Sequence, residues 1–438
     1  MAGSVVRWAA AASALILAAG CATAPGPVRP PAEFPALCIA VISDPHIFDT
    51  ASSSPGAAFS GALLSGIKLL AESRRILEAA LPAIAAERPD IVLVCGDLTR
   101  DGERASHELA SRELASLEQA AAGGPAPRVY VVPGNHDVRN PHAARFEGAS
   151  AIPVPSVSPR EFSAIYAELG YDEALARDPA SLSYVAQPVP GLWLLAIDSC
   201  RYGENGTFPV PGGRVSPTSL AWIEGVLADA RSRGVAVIAF MHHNLLEHFR
   251  GQRRYEPGRV VDQGQHLTRT LLRGNVRIVF SGHGHAQDIA ELQSGQRQLL
   301  DVETGSLVSF PNPWRIVRLQ SSGRVEIASR AVAGIAGMGE GFPRYSLGRL
   351  REGLREFLAV RLARAGVQQP DADGLAGAVA DTAVQYYRGD EHAGPVDLEV
   401  HAASGWGRTA ARVLEGPLRN LGNDLPPADN DLVITLPR

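Results

Sequence analysis

The chain has 438 residues, of which 45% are hydrophobic, and a formal net charge of -5. That length allows one large domain or two ordinary ones, each able to bury a sizeable core. So mild a charge gives no reason to expect binding of duplex nucleic acid by bulk electrostatics.

The N-terminus, "MAGSVVRWAAAASALILAAGCATAPGPVRPP", carries one charge, Arg7, before Cys21. Its apolar run, residues 8–20, is too short to span a bilayer comfortably and fits the h-region of a signal peptide. It ends in "LAAGC", which resembles a bacterial lipobox with Ala18 where leucine is preferred. The resemblance implies a signal peptide over 1–20, lipidation at Cys21 and an exported chain held at the cell-envelope membrane by that lipid. An ordinary cleaved signal is the alternative. Residues 21–35 are Pro-rich and aperiodic, the composition of a tether.

Six short runs rich in Val, Ile and Leu follow: 37–43, 90–96, 128–134, 192–198, 235–241 and 276–282. Each reads as a strand buried on both faces. Helical periodicity lies between them over 67–87 and 104–122, and Ser216-Pro217 opens a third helix with a cap and a first-turn proline. Residues 138–182 break the rhythm, with one helix near 160–169, and read as a wall beside a site. Ser294-Gly295 and Ser322-Gly323 read as turns between antiparallel strands. From about 335 the pattern is helical again, with an arginine-rich, solvated face over 349–364. The fold class is α/β: covered sheets in one domain over 36–333, and a mostly helical appendage over 334–438. Cys38, Cys95 and Cys200 sit in or after apolar runs and read as free thiols packed as small hydrophobes.

Several strands end in residues of the metal-ligand type. These are Asp44 and His46 in "SDPH", Asp97 in "CGD", and Asn135, His136 and Asp137 in "PGNHD". "MHHN" adds His242 and His243, and "SGHGH" adds His283 and His285. The C-terminal ends of strands are where open α/β sheets place ligands. In extended backbone, residues two apart project to one side, so Asp44 with His46, and His283 with His285, can aim at one cavity. Gly284 would give that turn unusual dihedrals and room. Each pair alone is weak, but five groups in order, each after an apolar strand, point to a metal site.

The set D-x-H, G-D, G-N-H-D, H and G-H-x-H resembles the calcineurin-like metallophosphoesterases, over roughly residues 37–320. The resemblance implies a β-sandwich flanked by helices and two transition-metal ions, divalent or trivalent: Fe, Mn, Zn or Co. One ion would take Asp44, His46, Asp97 and His285; the other, Asp97, Asn135, His242 and His283. Asp97 would bridge them. The family pattern favours His242 over His243, although Asn244 stands where a proline is usual. His136 would protonate the leaving oxygen or stabilise charge in the transition state. Asp137 would either orient that imidazole or brace the turn.

The implied activity is hydrolysis of a small-molecule or lipid-headgroup phosphoester by metal-activated water, leaning to phosphodiesters. A phosphomonoesterase or nucleotidase is the near alternative. A surface lipoprotein that only binds metal or phosphorylated ligands is the alternative of another class. Asp198 reads as structural, and His107, His142, His248, His266, His392 and His401 as surface residues or supports behind the ligands.

Overall fold

The computed structural model describes residues 32–64, 66–119, 125–392 and 397–437. The expected signal peptide, Cys21 and nearly all of the tether lie outside them. In chain order the strands are β1 (Leu37–Ile42), β2 (Ile91–Val94), β3 (Arg128–Val131), β4 (Ala144–Glu147), β5 (Ser150–Pro153), β6 (Ala174–Arg177), β7 (Tyr184–Val189), β8 (Leu192–Ile197), β9 (Ala236–Met241), β10 (Ile278–Ser281), β11 (Asp288–Ser294), β12 (Arg297–Glu303), β13 (Pro313–Leu319), β14 (Arg324–Ala331) and β15 (Asp431–Thr435). A six-stranded sheet runs β15-β14-β13-β1-β2-β3, and a seven-stranded sheet runs β11-β12-β10-β9-β8-β7-β6. The six apolar runs read from the sequence are β1, β2, β3, β8, β9 and β10.

The continuous apolar character of β8 and β9 has a simple cause: each strand has two dry faces. Leu192, Leu194, Ala196, Ile238 and Phe240 join the core between the sheets. Their neighbours Trp193, Leu195, Ile197, Val237 and Met241 pack outward with Ile223, Leu227, Leu267 and Leu271. Those last four come from the helices Pro217–Arg233 and Gly264–Arg273. The first of these helices starts as expected: Ser216 accepts from the Ser219 amide, Pro217 opens the first turn, and Gly234 ends it at φ 68°. Burying one side chain such as Phe240, fully enclosed here, stabilises the fold by about 3 kcal/mol. The parallel pairs β1-β2-β3 and β8-β9-β10 then aim the C-terminal ends of six strands at one edge.

Two expectations need correction. The helix expected over 67–87 begins only at Ser73, after a short 3-10 turn, Leu70–Glu72. The Leu69 amide is drawn instead to Val308 O, at 2.7 Å, which pins the preceding residues to the sandwich. Residues 138–182 are more structured than expected, with the hairpin β4-β5, the helix Pro159–Ile165 and the edge strand β6. The C-terminal region is mostly helical, as expected, with one added strand. After the helices Phe342–Arg364, Gln369–Arg388 and Gly405–Leu421, β15 returns and pairs antiparallel with β14. On the first of these helices Arg351 pairs with Asp381 and Arg355 with Glu352, both at 2.8 Å. Cys38, Cys95 and Cys200 are free thiols.

Candidate metal centre

The strands β1, β2, β3, β9 and β10 all stop just short of the residues singled out above. The chain then turns sharply. Asp44, His46, Asp97, His283 and His285 have φ of 51°, 40°, 48°, 67° and 66°. Such left-handed conformations are costly for residues with a Cβ and cluster at functional sites. The geometry corrects the extended-strand argument for the two x-separated pairs. His283 and His285 leave the strand before they diverge: His283 Nδ1 lies 3.1 Å from His242 Nε2, and His285 Nε2 lies 3.2 Å from Asp44 Oδ1. Gly284 is needed for space rather than for dihedrals, since a Cβ there would come within 2.1 Å of Glu303 Oε1.

Two groups of side chains result. Asp44, His46, Asp97 and His285 place one candidate ligand atom each within 4.8 Å of one another, all buried. His242 and His283 form the second group, with Asn135 Oδ1 at 3.1 Å from His242 Nε2. Asp97 stands between them: its Oδ2 is 3.5 Å from His46 Nε2, and its Oδ1 is 3.4 Å from His242 Nε2. A Cβ at Gly134 would sit 2.1 Å from Asp97 Oδ1, so the close approach of the "PGNHD" loop requires glycine there.

The hydrogen bonds behind the imidazoles fix which nitrogen is bare. His46 Nδ1 donates to Thr99 O at 3.3 Å, His242 Nδ1 to Cys95 O at 2.8 Å, and His283 Nε2 to Gly258 O at 3.2 Å. In each case the other nitrogen carries a lone pair that faces the cluster, the arrangement metal-ligating histidines need. Burial first, and then neighbouring positive groups, push His46 and His283 well below the ordinary histidine value, so both are neutral. Burial works against the Asp44 carboxylate, but the imidazoles around it, His285 foremost, outweigh that and hold it well below the usual range. Asp44 Oδ1 and His46 Nε2 are buried with no hydrogen-bond partner. Buried polar atoms are rarely left so, and two such acceptors facing one space fit a cation between them. The mixed nitrogen and oxygen set suits Fe, Mn, Zn or Co rather than a thiolate-seeking ion.

His243 falls within ligand distance of His242 and His283. Both its nitrogens are engaged elsewhere, however: Ser199 Oγ lies 2.8 Å from Nδ1, and Pro211 O 2.9 Å from Nε2. His242 is therefore the ligand candidate of the pair.

His136 stands at the mouth, its side chain 27% exposed, with Nε2 3.9 Å from Asp97 Oδ2. Its orienting partner is not Asp137. The Asp137 carboxylate accepts from the amides of Leu98, Thr99 and Gly134 and from Thr99 Oγ1, at 2.8–3.0 Å, and braces the turn. Asp101 takes the expected role, with Oδ1 2.9 Å from His136 Nδ1. Burial and Lys68 push the His136 pKa down, but Asp97 and Asp101 outweigh them and hold it above the ordinary value. Sequence reasoning also missed Lys68, whose Nζ is 3.5 Å from His136 Nε2, and Arg259, whose guanidinium donates to His283 O. No motif flags either one. Asp101 had a faint signal, a second carboxylate four residues beyond Asp97 on the same loop. Asp198 is structural, accepting from the Leu182 and Cys200 amides at 3.0 and 2.9 Å.

The family model described as calcineurin-like phosphoesterase matches residues 38–287, a span that contains every candidate ligand above. The chain belongs to that family. This phosphoesterase is accordingly a metal-dependent hydrolase of phosphoester bonds. Among solved structures it resembles a dimetal phosphatase from Danio rerio, at 14% identity and a TM-score of 0.47, over 68% of this chain and 97% of that one. It also resembles a purple acid phosphatase from yellow lupin (Lupinus luteus) seeds, at 14% identity and a TM-score of 0.43, over 69% of this chain and 53% of that one. No curated protein matches it.

Proposed function

We propose that this phosphoesterase uses two metal ions, prefers phosphodiesters and works outside the cytoplasm as a lipid-anchored protein. One ion is held by Asp44, His46, Asp97 and His285, the other by Asp97, Asn135, His242 and His283. When bound, the pair supplies Lewis-acid activation of water and of the phosphoryl oxygens. The observation that carries the reading is the closure of the cluster. Asn135, His283 and His285 are at most 7% exposed, and the half-buried rim around them consists of Lys68, His136 and Arg259.

That rim defines what the chain's own residues do. Lys68 and Arg259 attract an anionic group and hold its oxygens. His136, oriented by Asp101, gives its proton to the ester oxygen as the bond from phosphorus to that oxygen breaks and the bond to the water oxygen forms. The test is turnover of bis-p-nitrophenyl phosphate against p-nitrophenyl phosphate by the metal-loaded enzyme. A kcat/KM at least about tenfold higher for the diester is expected. The reverse ratio makes it a monoesterase, and turnover of neither overturns the catalytic assignment.

The anchor rests on "LAAGC" and the Pro-rich stretch after it. Among the described residues no helix is long and apolar enough to cross a membrane. Cys21→Ser is expected to move the chain from the membrane pellet to the soluble fraction of fractionated cells. An unchanged pellet fraction would refute the lipid.

A further inference from the structure

A second group of carboxylates lies apart from the metal centre, where the C-terminal region meets β11. Asp288, Glu391 and Asp429 place one oxygen each within 4.8 Å of one another. All three are at least nine-tenths buried, at 4%, 3% and 0% exposed. Asp390 and Asp424 add a contiguous group that shares Asp429. Three buried carboxylates at this spacing repel strongly unless they take up protons or something positive sits among them; burial and mutual repulsion push Glu391 up to about 9 and Asp429 up to about 8.

The chain's own cations meet only part of that need, and mostly at Asp288. His248 Nδ1 meets Asp288 Oδ1 at 2.8 Å, but the same ring also faces Asp301 at 3.3 Å and Glu303 at 4.0 Å. The fully buried Arg315 spends its donors on Glu303 O, Asp429 O, Asp288 O and Ser329 Oγ, not on carboxylates. Among the described residues no lysine or arginine forms an ion pair with any of the five acids.

The cluster is built rather than incidental. Asp429 Oδ1 accepts from the Ile289 amide at 3.0 Å, and its Oδ2 from the Asp390 amide at 2.8 Å. Asp390 Oδ1 returns a bond from the Asp429 amide at 2.8 Å. Each of these oxygens keeps a second lone pair. Gly389, at φ 78°, lets the backbone pass, because a Cβ there would meet Gln287 O at 2.4 Å. Above all, Glu391 Oε2 is buried with no hydrogen-bond partner. A carboxyl oxygen left in that state, on a residue grouped at ligand distance with two more carboxylates, points to an unfilled coordination position.

We infer that Asp288, Glu391 and Asp429, flanked by Asp390 and Asp424, bind a calcium ion that clasps the C-terminal region to β11. The ligand set is all oxygen, irregular and strongly anionic, which suits calcium and disfavours ions that seek nitrogen or sulfur. The clasp has a structural role distinct from catalysis. Asp288 is the first residue of β11, three positions after His285, so the ion secures the strand that follows the histidine loop.

The test is calorimetric titration of calcium chloride into enzyme already loaded with transition metal, in chelator-free buffer, with Tm read on the same samples. One additional ion per chain is expected, with Tm raised by about 3 °C at a hundredfold excess over Kd. Glu391→Gln should weaken calcium uptake at least about a hundredfold and abolish the Tm rise, while phosphoester turnover without calcium matches the parent. Should Glu391→Gln fail to fold, Asp424→Asn serves, with a weaker but measurable loss of uptake. The clasp is overturned if the parent takes up no added calcium. It is overturned equally if the folded variants bind calcium as the parent does. A third refutation is a parent Tm that ignores calcium but rises on acidification, since the carboxylates would then be sharing protons instead.

Discussion

Asp97→Asn is expected to lower kcat/KM by about 10³-fold or more, and to reduce bound transition metal below two ions per chain. A 10³-fold loss corresponds to about 4 kcal/mol of transition-state stabilisation. Asp97 is the residue both halves of the centre share, with one oxygen toward His46 and the other toward His242, at 3.5 and 3.4 Å. Asparagine keeps the shape and tolerates the left-handed backbone at φ 48° better than most residues. The fold should therefore survive. What changes is charge and polarity: one negative charge is lost, and one lone-pair oxygen becomes an NH₂ donor aimed at a bare imidazole nitrogen. Cations of about +4 in total then face a single carboxylate, Asp44, instead of two. Elemental analysis and turnover on the same preparation check the result. Full turnover with two ions retained would show that the shared position lies elsewhere.

The buried strands and the ligand loops were legible for one physical reason. Strands buried on both faces must be continuous apolar runs, so each run in "DIVLVCGD" or "VIAFMHHN" ends where polarity returns, and that is where the ligands sit. The local backbone was not legible. Left-handed φ at His283 and His285 has no signature in residue type, because histidine adopts it only where surrounding contacts impose it. Lys68 was hidden inside what reads as a regular amphipathic helix; one amide bond, Leu69 N to Val308 O, overrides that periodicity and brings the lysine to the mouth. β15 escaped because an edge strand that is half exposed, with a burial pattern alternating along Asp431–Thr435, carries little apolar signal. Asp137 and Asp101 differ in role only through which donors surround them, and those donors come from backbone that folds around the loop.

His136→Ala is expected to reduce kcat about 10²- to 10³-fold on substrates with a poor leaving group, with both ions retained. The three ligand imidazoles His46, His242 and His283 are held from behind by Thr99 O, Cys95 O and Gly258 O, bonds that do not involve this ring. The loss should shrink to about tenfold for p-nitrophenyl esters, because p-nitrophenolate departs with little need of a proton. That contrast separates proton donation from a general disturbance of the site, which would affect both leaving groups alike. Asp101→Asn should give a smaller loss of about tenfold on alkyl esters, since Asp101 meets the acid through its 2.9 Å contact with His136 Nδ1 and the Arg100 carbonyl, 2.7 Å from the same nitrogen, also holds the ring. The two changes together should cost no more than His136→Ala alone, because the carboxylate has nothing to orient once the ring is gone. Additive losses in the double variant would instead give Asp101 an independent part in the reaction, and equal losses for both leaving groups would remove His136 from the role of acid.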